Sequence, residues 1–141
     1  MRVLADTSVL VPALVEAHPH HDRTAPTLDR AASGEIELVV ASHALAETYA
    51  TLTALQPRLT PTAVLRLIQE GALRFAEVIP LDADDYRAVL DRMADLGLVS
   101  GAVYDGLHVR AAEKAGADEL HTVNGRDFRR MPPGACRLVV L

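Results

Sequence analysis

Short apolar runs alternate with helical patterns along the whole chain, and that alternation limits the possible folds more than any other feature. Strands separated by helices run parallel, and right-handed crossovers lay those helices against the sheet. Residues 2–5, 37–40, 75–79, 119–123 and 137–141 have strand character. Between them, residues 7–16, 22–32, 42–55, 61–71, 82–96 and 100–114 read as helices. Pro19, Gly34, Pro57, Gly97 and Gly116 punctuate the pattern, and Pro61 suits a first helical position. Ser42 is expected to cap its helix through the hydroxyl, and Ser100 to open the next acid-bearing one. Tyr86, Val89, Leu90 and Met93 share one face at helical spacing, as do Val64, Leu65, Ile68 and Leu73, a core or dimer contact. The expected fold is α/β: a three-layer α/β/α sandwich with a central, mostly parallel sheet of four to five strands.

The 141 residues, half of them hydrophobic, suit one domain over residues 1–141 with a sizeable core. No apolar run approaches the roughly 20 residues of a membrane span, and Asp6 interrupts the start where a signal peptide would stay apolar. Cys136 is the only cysteine, so no internal disulfide forms and a cytoplasmic setting is expected. Fourteen basic against nineteen acidic residues leave a net charge of −5, which argues against a surface that grips phosphates everywhere. An acidic chain can still act on nucleic acid when its acids gather around a cation.

In an open parallel sheet, ligands bind beyond the carboxyl ends of the strands. Asp6 follows the first strand there, where a plain helix cap is the alternative role. Glu47 lies five residues after Ser42, with Ala44, Ala50, Thr51 and Ala54 at helical spacing around it. Asp105 lies five residues after Ser100, on a face with Ala102, Val109 and Ala112. Either acid can instead reach solvent or pair with an Arg such as Arg110. Thr122, Asn124 and Asp127 emerge after the fourth strand, at the edge where Asp6 lies. Carboxylates drawn together repel by several kcal/mol and stay ionised only around a cation. All-oxygen ligands favour a hard ion, Mg²⁺ or Mn²⁺, and such a site suits phosphodiester hydrolysis.

These residues also resemble a family. Asp6, Thr7 and Ser8 after the first strand, Ala46 and Glu47 in a middle helix, Tyr104 to His108 in a late helix, and Thr122, Asn124, Asp127 and Phe128 look like the four signatures of PIN-domain ribonucleases. Length and order match the VapC-type toxins of toxin–antitoxin pairs. The resemblance implies a metal-dependent endoribonuclease leaving a 3′-hydroxyl and a 5′-phosphate. It also implies a homodimer and a small cognate antitoxin that inserts into the active-site groove. Asp6, Glu47 and Asp105 match the three central acids and are the expected ligands of Mg²⁺, for which Mn²⁺ can substitute, with orienting the attacking water as the alternative role of Glu47. Asn124 stands where the family usually has a fourth acid, and Asp127 is the alternative source of that carboxylate. Thr7, Ser8 and Thr122 are candidate contacts to substrate, with Arg126 in a basic cluster that includes Arg129, Arg130 and Arg137.

His18, His20 and His21 straddle a proline break without an acid partner, and read as capping or solvated imidazoles. His43 and His108 lie near the acid-bearing faces, where a packed or solvated role is expected of each. A dinucleotide-binding enzyme would need a Gly-rich turn after the first strand, and Asp6, Thr7, Ser8 and Val9 contain no glycine, so no nucleotide cofactor is expected. A phosphorelay receiver would need a late strand-end Lys, whereas Lys114, the only Lys, falls within a helix. Two alternatives stay open: a weakly catalytic module of the same fold that binds RNA or protein, and a DNA-cleaving relative.

Overall fold

The computed structural model describes residues 1–141. Five strands form one wholly parallel sheet in the order β3–β2–β1–β4–β5: β1 (Arg2–Ala5), β2 (Glu37–Ala41), β3 (Ala76–Ile79), β4 (Glu119–Thr122) and β5 (Arg137–Val140). The near-continuous apolar runs follow from burial on both faces, with Val3, Leu4, Ala5, Val40, Ala41 and Leu120 fully inaccessible. The helices are α1 (Thr7–Leu14), α2 (His21–Ala32), α3 (Ser42–Ala54), α4 (Pro61–Ile68), α5 (Ala83–Asp95), α6 (Ala102–Ala115) and α7 (Gly125–Arg130). Successive steps from β1 to β2 to β3 go one way across the sheet, and the step from β3 to β4 comes back past β1. Right-handed crossovers therefore place α1–α4 on one face and α5–α6 on the other. The order reverses between β1 and β4, so the carboxyl ends of those two strands flank the crevice where such sheets bind ligands.

Several local expectations need correction. Ser42 does not cap α3; Ala41 holds that position, and Ser42 Oγ accepts from the Leu81 N–H at 3.2 Å, tying α3 to the exit of β3. Ser100 does not open α6 either. Its φ of 55° is left-handed, and the helix begins at Ala102 after Gly101. Of the α5 stripe only Val89 and Met93 are buried, while Tyr86 and Leu90 are exposed. Val64 and Ile68 pack with Val11 and Leu52 in a small second core, and Leu65 faces outward. The helix expected to reach residue 71 ends as α at Ile68 and continues as a π-turn over Gln69–Leu73.

The α5–α6 pair is held at close range by Gly106. A Cβ there would lie 2.8 Å from Val89 Cγ1, nearer than packed atoms approach, and a tight 3.1 Å from Met131 Cε. Gly106→Ala gains about 1 kcal/mol of helix propensity but overpacks a stiff β-branched neighbour at a cost of about 2 kcal/mol. The expected net loss of about 1 kcal/mol is measurable as a lower urea midpoint at unchanged m-value.

Candidate active site

Ala5 pairs with His121 across β1 and β4, and the Asp6 N–H donates to the His121 carbonyl at 3.2 Å. Asp6 and Thr122 therefore leave the sheet side by side. Asp6 does cap α1, its Oδ1 accepting from the Val9 N–H at 3.0 Å. That bond uses only part of the carboxylate. Ser8 Oγ donates to the same Oδ1 and Thr122 Oγ1 to Oδ2, both at 2.7 Å. The Val123 N–H holds Ser8 Oγ at 2.9 Å, and the Asn124 N–H holds Thr122 Oγ1 at 3.0 Å, so both hydroxyls are aimed from behind. Asp6 is 3% exposed. Burial raises its pKa, against the pull of His108, Thr122, Ser8 and the Val9 N–H.

Asp105 is half-buried in the first turn of α6. Burial pushes its carboxyl up to about 6; His108 pulls the other way, and the charges of Asp6, Asp127 and Glu47 push it further up. These three acids come from three separate stretches of chain, and all of them act on Asp105. Arg110 gives no relief, because it pairs with Asp85 at 2.8 Å. No Arg or Lys forms an ion pair with Asp6 or Asp105.

Glu47 sits differently from the sequence expectation. Ala44 is buried, but Ala50, Thr51 and Ala54 are exposed, so small residues do not enclose it. Two imidazoles do. His43 Nε2 lies 3.2 Å and His108 Nε2 3.4 Å from Glu47 Oε2, and Thr7 Oγ1 donates to that oxygen at 2.9 Å. Burial opposes the charge on Glu47 and is outweighed by His108, His43 and Thr7, which hold its carboxyl well below the usual range. His43 and His108, of which the sequence led us to expect a packed or solvated role, are thus candidates for a functional one. His43 is four residues before Glu47 on α3 and so shares its face, which was the available signal.

Asn124 is exposed at the N-terminus of α7, and its side chain makes no capping bond. Asp127 is half-buried one turn on, with Arg130 at 3.8 Å. Arg126 and Arg129 are exposed beside it, whereas Arg137 turns to Glu119 on β4.

The PIN-domain family model matches residues 3–132. The chain belongs to the PIN-domain family. Among curated members, Ribonuclease VapC40 of Mycobacterium tuberculosis is 34% identical over 120 residues, which is 84% of each chain. Ribonuclease VapC27 of the same organism is 37% identical over 123 residues, covering 86% of this chain and 83% of its own. In fold the chain is similar to a chain in the crystal structure of VapBC2 from Rickettsia felis bound to a promoter DNA fragment. That match has a TM-score of 0.69 at 20% identity and covers 100% of this chain and 99% of the other.

The donor set of this PIN domain fits a divalent cation. Asp6 and Asp105 are both desolvated, the charge of Asp6 pushes the Asp105 carboxyl further up, and neither acid has an Arg or Lys partner to offset it. The same imbalance sets a pH dependence. Folded Asp105 holds its proton up to about 6, above the ordinary carboxylate value. Its ionisation therefore opposes folding, and the stability present while it is protonated is lost as pH rises from about 4 to about 6. In EDTA, the Tm of the wild type is expected to drop relative to Asp105→Asn across that interval. Saturating Mg²⁺ at pH 7.5 is expected to close the gap, as thermal melts of the two proteins will show.

Proposed function

We propose that this PIN domain is a divalent-metal-dependent endoribonuclease, the toxin of a toxin–antitoxin pair. The observation that carries the reading is that Asp6, at the β1/β4 crevice, and Asp105, on which its charge bears, are both desolvated and form no ion pair with Arg or Lys. The named ribonucleases that align with most of the chain support the same reaction class.

In this reading Asp6 and Asp105 hold the cation, Mg²⁺ with Mn²⁺ as substitute. A bound divalent ion supplies Lewis acidity to phosphodiester hydrolysis. Ser8 and Thr122 keep the Asp6 carboxylate in one orientation, since each donates to a different oxygen. Glu47 stays anionic at every working pH, which suits it to ligation and to orienting water better than to taking up a proton. Asp127, whose charge reaches Asp105, supplies the fourth carboxylate in place of exposed Asn124. Arg126, exposed at the start of α7, contacts RNA phosphates, and Thr7 acts through Glu47. In this reading the protein works as a homodimer and is restrained by a cognate antitoxin, the second of these in keeping with the VapBC2 complex that contains a chain of similar fold. No helix is long and apolar enough to cross a membrane.

The test incubates purified protein with labelled RNAs and DNAs in Mg²⁺, Mn²⁺ or EDTA. RNA cleavage that needs the metal is the expected result. Binding that is unchanged in EDTA, with no cleavage of any RNA, would replace the enzyme by a binding module, and cleavage of DNA alone would change the substrate.

A further inference from the structure

The tightest gathering of ligand atoms in the molecule is not the acids at the crevice. His43, Glu47 and His108 bring one donor atom each to within 4.8 Å of one another, and no other three His, Cys, Asp or Glu residues do so. Two helices build the group: His43 and Glu47 one turn apart on α3, and His108 on α6. The side chains of His43 and His108 are only 8% and 3% exposed, and Glu47 is 27% exposed, so the group opens to solvent on the carboxylate side.

The geometry is that of a cation cage rather than of a finished hydrogen-bond network. His43 Nε2 is buried, and although Glu47 Oε2 is 3.2 Å away, the approach is too bent for a hydrogen bond and the nitrogen has no other partner. A buried polar atom left in that state carries a desolvation penalty that a ligand removes. A tetrahedral Zn²⁺ with bonds of about 2.0–2.1 Å sets its ligand atoms about 3.3 Å apart. The two imidazole-to-carboxylate separations, 3.2 and 3.4 Å, already have that length. Thr7 fixes the carboxylate from the side by donating to Oε2 at 2.9 Å.

We propose that His43 Nε2, Glu47 Oε2 and His108 Nε2 form a second metal site, selective for a borderline transition ion such as Zn²⁺ over Mg²⁺. Neutral imidazoles favour such ions, whereas the all-oxygen set of Asp6 and Asp105 favours hard ones. Three protein ligands leave one position open, the arrangement of a site that exchanges its ion or holds a further ligand. Occupation neutralises the Glu47 charge that bears on Asp105, so the two sites communicate through one carboxylate.

Zn²⁺ alone is titrated into the metal-free full chain against a chromophoric chelator, with millimolar Mg²⁺ present throughout. One Zn²⁺ per chain is expected, bound at least about tenfold more weakly by His43→Ala and by His108→Ala, and within about threefold of wild type by Asp6→Asn. In the wild-type protein, where folding is not at issue, ring ¹⁵N spectra are expected to show the Nε2 atoms of His43 and His108 shifting with Zn²⁺. Failure to bind Zn²⁺, affinity unchanged in both His variants, or loss of binding in Asp6→Asn overturns the proposal. None of these readouts uses RNA cleavage, so they stand or fall apart from the nuclease reading.

Discussion

Asp6→Asn is expected to lose RNA cleavage by at least about a thousandfold, some 4 kcal/mol of transition-state stabilisation, and to melt no lower than the parent in EDTA. The two halves have one cause. The Asp6 carboxylate is 3% exposed and its ionised form is disfavoured by burial. An amide of the same shape can still accept from the Val9 N–H through Oδ1, which keeps the α1 cap, and it carries no charge to desolvate. It binds a divalent cation far more weakly than a carboxylate does. A variant that is inactive because it unfolds would melt lower, and one that keeps its activity would remove Asp6 from the cation site. Activity and Tm measured on one preparation separate these outcomes.

Asp85→Ala is expected to produce the largest fall in stability, about 2 kcal/mol, or a drop in Tm on the order of 8 °C. Asp85 closes a capping box at the start of α5: Asp82 Oδ1 accepts from the Asp85 N–H, and Asp85 Oδ2 accepts from the Asp82 N–H, each at 3.0 Å. The same carboxylate takes Arg110 Nε at 2.8 Å and Lys114 Nζ at 2.5 Å, and its side chain is 4% exposed. The loss stays below that of a wholly buried pair, because the Arg110 and Lys114 side chains are 39% and 34% exposed and are rehydrated in the variant. Lys114, then the Asp82 N–H, hold the Asp85 carboxyl well below its usual range against burial. A depressed carboxyl stabilises the fold at pH values above about 4, and that contribution disappears as pH falls. The difference between wild type and variant is therefore expected to shrink below pH 4. Denaturant melts at pH 7 and pH 3 read it directly, and a constant difference contradicts the assignment.

The layer order was legible because each strand is a short apolar run and each crossover carries a 3.6-residue pattern. α7 was not, since Gly125 to Arg130 are too few and too polar to show a period. The stripe on α5 misled in another way. Tyr86 and Leu90 have the spacing of buried residues, but α6 covers only the side of α5 that carries Val89 and Met93. At the site, Asp6 was legible from its position after β1, because topology alone brings that residue to the crevice. Glu47 was singled out for a face of small residues that turns out to be largely solvated. What sets its charge is two histidines, one of them 61 positions away by numbering, from His108 to Glu47. Contact between α3 and α6 depends on how helices from separate crossovers meet above the sheet edge, and no local pattern encodes that.

The proposed nuclease function rests on Asp6 and Asp105 holding a cation between them. Crystals of the protein soaked in Mn²⁺ and measured at the manganese absorption edge test that directly. An anomalous peak within bonding distance of both carboxylates, absent in Asp6→Asn crystals, is the predicted result. A saturated crystal with no peak between those two side chains, from protein that cleaves RNA in Mn²⁺, would contradict it.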